Sequence, residues 1–125
     1  MLATRHEQLI KSGHNLKQAT PDERHRIRIA AKKLRYLAEF FASIYSTKKT
    51  NPFINYLSQL QDQLGIMNDI SVTSALLEKL LGEKPSKELM TAKHIIDGWN
   101  AHGLVPYVTE LKTTWKVFIK QKPFW

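Results

Sequence analysis

Residues 20–41 have the sequence TPDERHRIRIAAKKLRYLAEFF, and this stretch decides the fold. Thr20 is a favoured N-cap residue, Pro21 suits the first helical position, and Glu23 stands three residues after the cap. The apolar residues that follow recur at spacings of three and four, which is the pattern of an α-helix with one buried face. The stretch therefore predicts an amphipathic helix that begins at Thr20 and continues to about Tyr45.

Proline, glycine and cap residues divide the rest of the chain into segments that also have helical patterns. No alternating apolar–polar run is long enough to predict a sheet. In this interpretation Gly65 interrupts the third helix, Asn68-Asp69 caps the fourth, and Pro106 starts the sixth. We therefore predict a single all-α domain over residues 1–125, a helical bundle of about five to six helices. The predicted helices cover about residues 3–16, 20–45, 51–64, 70–81, 86–101 and 106–121.

Composition excludes several classes of protein. The 125 residues are 42% apolar and 24% charged, which is typical of a globular domain and not of a disordered chain. Cysteine is absent, so neither disulfides nor a thiolate metal site are available. The N-terminus lacks the apolar run of a signal peptide, and no stretch approaches the roughly 18 apolar residues of a membrane span. These features predict a soluble cytoplasmic protein with no metal and no cofactor.

Positive charge is concentrated at the start of the chain. The net charge is +8, and residues 1–36 contain nine Lys and Arg residues against three Asp and Glu residues. Such an asymmetry predicts an anionic partner, although a solvated basic face on an ordinary domain is the alternative interpretation.

The helix predicted over residues 20–45 separates its charges from its apolar residues. At about 100° per residue, an arc of roughly 100° holds His25, Arg28, Lys32, Arg35 and Tyr36. Cations about 6 Å apart repel each other by roughly 0.7 kcal/mol in water, and a multivalent anion along the stripe would offset this cost. Arginine suits such a ligand because its guanidinium can bind two phosphate oxygens. The opposite, predicted core side holds Ile27, Ala30, Ala31, Leu34, Leu37, Ala38, Phe41 and Ile44.

The run from His25 to Phe41 closely resembles the signature helix of CHAD domains, the conserved histidine α-helical domains. Three further stretches resemble later motifs of that family: LQDQLGIMND at residues 60–69, HIIDGW at 94–99, and the ending WKVFIKQKPFW at 115–125. Together the four motifs span nearly the whole chain in family order.

The resemblance implies an all-helical fold, polyphosphate binding through a basic surface, and no enzymatic activity of its own. By motif position it implies that His25, Arg28, Lys32 and Arg35 are the anion contacts. Such domains often accompany a triphosphate-processing domain or associate with polyphosphate granules. Three secondary candidates complete the predicted site: Tyr36 and Lys33 by motif position, and Arg5, which lies at the apolar edge of the first helix and is predicted to face the same groove.

CHAD domains usually contain two related helical halves around the binding surface, and this chain resembles the second, C-terminal half. The expected partners are therefore inorganic polyphosphate or another polyanion, together with a second copy of the chain or a separate N-terminal half. His6 is interpreted as a core or boundary residue in preference to a ligand contact.

Two other functions stay open on the residues alone. The same stripe could follow the phosphodiester backbone of a nucleic acid without reading its sequence. His25 could instead accept a phosphoryl group, as in a histidine phosphotransfer bundle, although the surrounding cations fit a bound anion better than a transferred group.

Overall fold

The computed structural model describes residues 1–125 as four α-helices and two short 3-10 turns. The helices are α1 (Leu2–Ser12), α2 (Pro21–Phe41), α3 (Thr47–Leu81) and α4 (Lys87–Phe118), and the turns are Leu16–Gln18 and Ala42–Ile44. Each helix packs against the next one along the chain. The predicted all-α class is confirmed. None of the four helices combines the length and the apolar character needed to cross a membrane.

Helix α2 begins where the sequence predicts. The Thr20 hydroxyl accepts a hydrogen bond from the Glu23 backbone N–H at 3.2 Å, and the Thr20 N–H donates to Glu23 Oε2 at 2.8 Å, which forms a capping box. The helix ends at Phe41 and not at Tyr45. The chain then tightens into a 3-10 turn, and Ile44, predicted to be in the core, is 70% exposed.

The predicted number of helices is wrong, first because α3 does not stop at Gly65. Gly65, Asn68 and Asp69 all lie inside this 35-residue helix, so neither the predicted interruption nor the predicted cap exists. A glycine inside a helix costs only about 1 kcal/mol relative to alanine. Leu64 and Met67 are buried on either side of Gly65, and their packing outweighs that cost.

Helix α4 likewise continues through Pro106, where a new helix was predicted to begin. Proline removes one backbone hydrogen bond and crowds the preceding turn. Leu104 before it and Val108 after it both pack against the core, so both halves of α4 are held in line.

The core lies at one end of the molecule. It is built from one face of each helix and closed by aromatic residues of the C-terminal segment. No residue between 68 and 110 is buried, so the second half of α3 and most of α4 project from the core as an antiparallel hairpin, here called the hairpin. Lys93 of α4 joins the two helices through an ion pair with Glu78 of α3 at 3.9 Å, and it also pairs with Asp97 on its own helix.

Gly13, between α1 and α2, allows a close approach of α4. A Cβ atom added at Gly13 would lie 2.2 Å from the Trp115 indole. We expect Gly13→Ala to lower the free energy of unfolding by about 1–3 kcal/mol, because the indole must move within a packed interface. Urea unfolding measures this loss.

Gly65→Ala is the matched control for Gly13→Ala. Its added Cβ would lie 3.4 Å from Arg28 Nε, at the limit of ordinary contact, so alanine there gains up to about 1 kcal/mol of helix propensity. Equal stability of the two alanine variants would contradict the close approach at Gly13.

Candidate functional site

Cations of α2 face the groove between α2 and α3. Arg24, Arg28 and Arg35, here called the arginine row, meet α3 in reverse order along the chain because the two helices are antiparallel. Arg24 lies beside Ser71, Arg28 beside Gly65, and Arg35 beside Ser58. Small residues on α3 thus leave room for three guanidinium groups in one line.

The hydrogen bonds of the arginine row occupy only some of its donors. Arg24 Nη1 donates to the Ala19 carbonyl at 2.8 Å, and its Nη2 lies 3.5 Å from the Ser71 hydroxyl. Arg35 Nη1 lies 3.4 Å from the Ser58 hydroxyl. The contacts to the two serines are at the long limit of hydrogen bonding, so these donors can exchange them for a stronger acceptor.

All three arginines share one unusual feature, a buried Nε atom with no hydrogen-bond partner. The side chains of Arg28 and Arg35 are held low in the groove, and Arg28 Nε passes close over Gly65. Buried donors normally find an acceptor, and an unpartnered one is costly. The Nε atoms are enclosed by the protein, so a ligand in the groove would contact the outer Nη groups of the row and not these donors.

Tyr36 organises the cations on the outer surface of α2. The Lys32 ammonium lies 5.6 Å from the centroid of the Tyr36 ring, and the Arg35 guanidinium lies 5.2 Å from it. Both are within the range of cation–π attraction. Tyr36 is 50% exposed and His25 is also exposed, so these predicted contacts border the arginine row on its solvent side.

Acidic residues neutralise little of this surface. Glu39 Oε1 lies 3.5 Å from Arg35 Nε, an ion pair without the geometry of a hydrogen bond. Asp62 and Asp69 on α3 are exposed and form no ion pair with α2. Arg24, Arg28 and Lys32 therefore carry charges that no carboxylate pairs.

Arg5 does not face the predicted groove. It lines a shallow cavity of about 260 Å³ between α1 and α2, together with Arg26 and Lys33. Arg5 lies there because Arg26 and Lys33, its neighbours in this cavity, are on the edge of α2 opposite to the arginine row. The predicted site residues thus fall in two grooves, with Arg28 and Arg35 in one and Arg5 and Lys33 in the other.

Arg24 and the α3 side of the groove were not predicted from the sequence. Arg24 precedes Arg28 by four residues and Arg35 by eleven, a spacing that puts all three within about 40° on a helical wheel. That spacing could have identified Arg24. No sequence signal identifies Ser58 and Ser71, because their role depends on which helix packs against α2.

His6 belongs to the core boundary, as the sequence predicted. Its ring centroid lies 5.8 Å from those of Phe53 and Phe118 and 5.6 Å from that of Trp125. Its Nε2 atom is buried without a partner. Burial lowers the pKa of His6 below its ordinary value of 6.5, while the nearby Glu7 carboxylate opposes this shift.

This environment makes stability depend on pH. Above about pH 6.5 His6 is neutral in both the folded and the unfolded chain. Below that value the unfolded chain takes up the proton first, so the free energy of unfolding falls as pH drops toward the lower pKa of the folded chain. We expect urea unfolding to show lower stability at about pH 5.5 than at about 7.5, and His6→Phe to reduce this difference. An equal pH dependence in both proteins would contradict the assignment.

A family model described as CHAD domain matches residues 1–78. The matched region contains α1, α2 and most of α3, and so includes the whole arginine row. The stretches at 94–99 and 115–125 lie outside it. No curated protein and no solved structure matches the chain.

Proposed function

Because the chain belongs to the CHAD domain family, we propose that it binds inorganic polyphosphate or a similar polyanion without catalysing a reaction. The arginine row forms the floor of the proposed site, and His25, Lys32 and Tyr36 form its outer edge. Arg5 and Lys33 join the contacts only where a long polyanion crosses α2 into the neighbouring groove.

The observation that carries the proposal is the line of three guanidinium groups along the groove between α2 and α3. Arg24 and Arg35 are separated by eleven residues, which corresponds to about 16 Å along a helix. A ligand that satisfies all three must be extended and must present acceptors at several points. Linear polyphosphate has this form, and each guanidinium can bind two of its oxygens.

Electrostatics also favours a polyanion over a single small anion. Arg28, Lys32 and Arg35 are successive neighbours on one face of α2 and repel one another in the free protein. One bound phosphate would relieve only part of this repulsion. A chain of phosphates along the groove relieves it at every position.

Salt dependence of binding tests the proposal. By analogy with single-stranded nucleic acids, the logarithm of affinity should fall against the logarithm of salt concentration with a slope of about −0.7 per phosphate neutralised, or about −3 for four contacts. We expect this slope in calorimetric titrations of polyphosphate from about 50 to 200 mM salt. A slope of zero would rule out binding through the cationic surface.

Competition is the control for ligand class. Single-stranded DNA of mixed sequence, at equal phosphate concentration, should displace polyphosphate only weakly, since nucleotides space their charges further apart than polyphosphate does. Displacement at equal phosphate concentration would favour a nucleic acid as the ligand.

The hairpin supports a proposal about partners. Leu76, Leu80 and Trp99 are 53%, 80% and 80% exposed. Large apolar side chains that no other part of the chain covers are typical of a surface that contacts a partner. We propose that a second helical half, from another copy of the chain or from an N-terminal CHAD half, completes the site. Polyphosphate would bridge the two basic surfaces, and light scattering with and without the ligand would show the change in mass. Association with polyphosphate granules in the cytoplasm would follow from the same binding.

A further inference from the structure

Four lysines that lie far apart in the sequence converge at the end of the molecule away from the hairpin. Lys48 and Lys49 come from the first turn of α3, and Lys120 and Lys122 come from the segment that follows α4. Together they line a cavity of about 440 Å³, here called the lysine cavity. No acidic residue lines it.

The fold holds the two pairs of lysines together. Phe118 and Phe124, on either side of Lys120 and Lys122, are 0% and 6% exposed. The Phe124 ring lies 5.5 Å from Phe53 of α3 and 5.1 Å from Tyr45, which precedes α3. The C-terminal segment is therefore fixed against the beginning of α3, and the convergence is a property of the packed core.

The charges of the lysine cavity are uncompensated. None of the four lysines forms an ion pair, since the ion pairs of the chain involve only Arg35 and Lys93. The first turn of α3 contains no acidic residue. Two lysines at that position are the reverse of what stabilises a helix start, where carboxylates are favoured. A bound anion would offset both the mutual repulsion and this misplacement.

We propose that the lysine cavity binds a compact, multiply charged phosphate anion of the size of inorganic triphosphate. Lysine ammonium groups are mobile point charges with three donors each, so four of them can surround a small anion from several sides. The arginine row differs from the lysine cavity because its planar guanidinium groups are fixed and lie in a line, whereas the ammonium groups of the lysines are mobile. The proposed site goes beyond polyphosphate binding on α2, since it shares no residue with that surface.

Calorimetric titration of the full chain with inorganic triphosphate tests the proposal. The experiment uses a background in which the arginine row is neutralised, R24Q/R28Q/R35Q, so that binding to the row does not mask binding to the lysine cavity. We expect affinity to fall by at least about tenfold when the cavity lysines lose their charge, since each charge-assisted contact contributes more than an ordinary hydrogen bond. The cavity variant is K48Q/K49Q/K120Q/K122Q, and the control of equal net charge is K17Q/K79Q/K84Q/K87Q.

Amide chemical shifts of the unsubstituted chain give a second measurement that does not depend on the folding of any variant. With triphosphate added, the largest changes in amide chemical shift outside α2 should fall at residues 47–49 and 120–122. Equal affinity of the cavity and control variants, or shift changes confined to α2, would overturn the proposal. Failure of long polyphosphate to bind the arginine row would leave these two measurements unaffected, so the two proposals fail separately.

Discussion

Arg28→Glu combined with Lys32→Glu is expected to lower the affinity for polyphosphate by at least about hundredfold, because each charge-assisted contact is worth about 1.5–3 kcal/mol. Both side chains point away from the buried face formed by Ile27, Ala31 and Leu34. The variant should therefore keep its helical circular dichroism and its stability. Calorimetry with polyphosphate, at one fixed salt concentration, measures the loss.

The control for this charge reversal is Lys79→Glu combined with Lys84→Glu, at the far end of the hairpin. It changes the net charge by the same amount but leaves α2 intact. We expect it to weaken binding only slightly, through the long-range field. If both pairs of substitutions weaken binding equally, net charge and not the groove between α2 and α3 determines affinity.

Leu34→Ala is expected to lower the free energy of unfolding by about 2–5 kcal/mol, the usual cost of a cavity in a packed core. Leu34 is 0% exposed and lies on the face of α2 opposite to the cations. At temperatures where the variant remains folded, its affinity for polyphosphate should be unchanged. Urea unfolding and calorimetry on the same preparation separate the two effects.

Leu80→Ala makes the same chemical change at a residue that is 80% exposed. Because no cavity forms there, we expect its effect on stability to stay within about 0.5 kcal/mol. Similar losses for the two variants would mean that the side of α2 that carries Leu34 does not form the centre of the core.

Local signals in the sequence predicted local structure well. The start of α2 depends on Thr20, Pro21 and Glu23, three residues within one turn, so no distant part of the chain is needed to predict it. The separation of cations from apolar residues along α2 could also be predicted locally, since the cations and the apolar residues lie on one regular helix. Only Ile44, beyond the true end of the helix, was assigned to the core in error.

Errors arose where tertiary packing decided the outcome. Gly65 and Pro106 are both unfavourable inside an isolated helix, and the sequence therefore predicted breaks at each. Their neighbours pack against the core on both sides, and this packing keeps α3 and α4 continuous. The sequence does not show which helices will be neighbours, so it could not reveal that the local cost would be overcome.

The residues that form the site also depend on which helices are neighbours, which the sequence does not show. A helical wheel gives the direction of each side chain on α2 but not the helix that it meets. Arg5 was therefore placed in the wrong groove, and Arg24 was omitted although its spacing from Arg28 was informative. Family resemblance supplied the chemical identity of the expected ligand, which charge and spacing alone left open between polyphosphate and nucleic acid.

The division between a buried core and a projecting hairpin has a consequence for how the molecule opens. Stability is not uniform in such a structure, since segments without buried residues separate at a lower free-energy cost than the core. Amide hydrogens of residues 72–103 should exchange with solvent through partial openings, whereas those near Leu34 and Leu57 should exchange only when the whole core unfolds.

The arginine row belongs mainly to the slowly exchanging part. Arg28 and Arg35 extend from the centre of α2, directly behind the buried leucine and alanine residues of the core. A ligand that binds there meets a preorganised surface and loses little free energy in ordering it. The hairpin, in contrast, can bend beyond Ser71 without disturbing Arg28 and Arg35, so one end of the molecule can adapt its shape while the centre of the groove keeps its geometry.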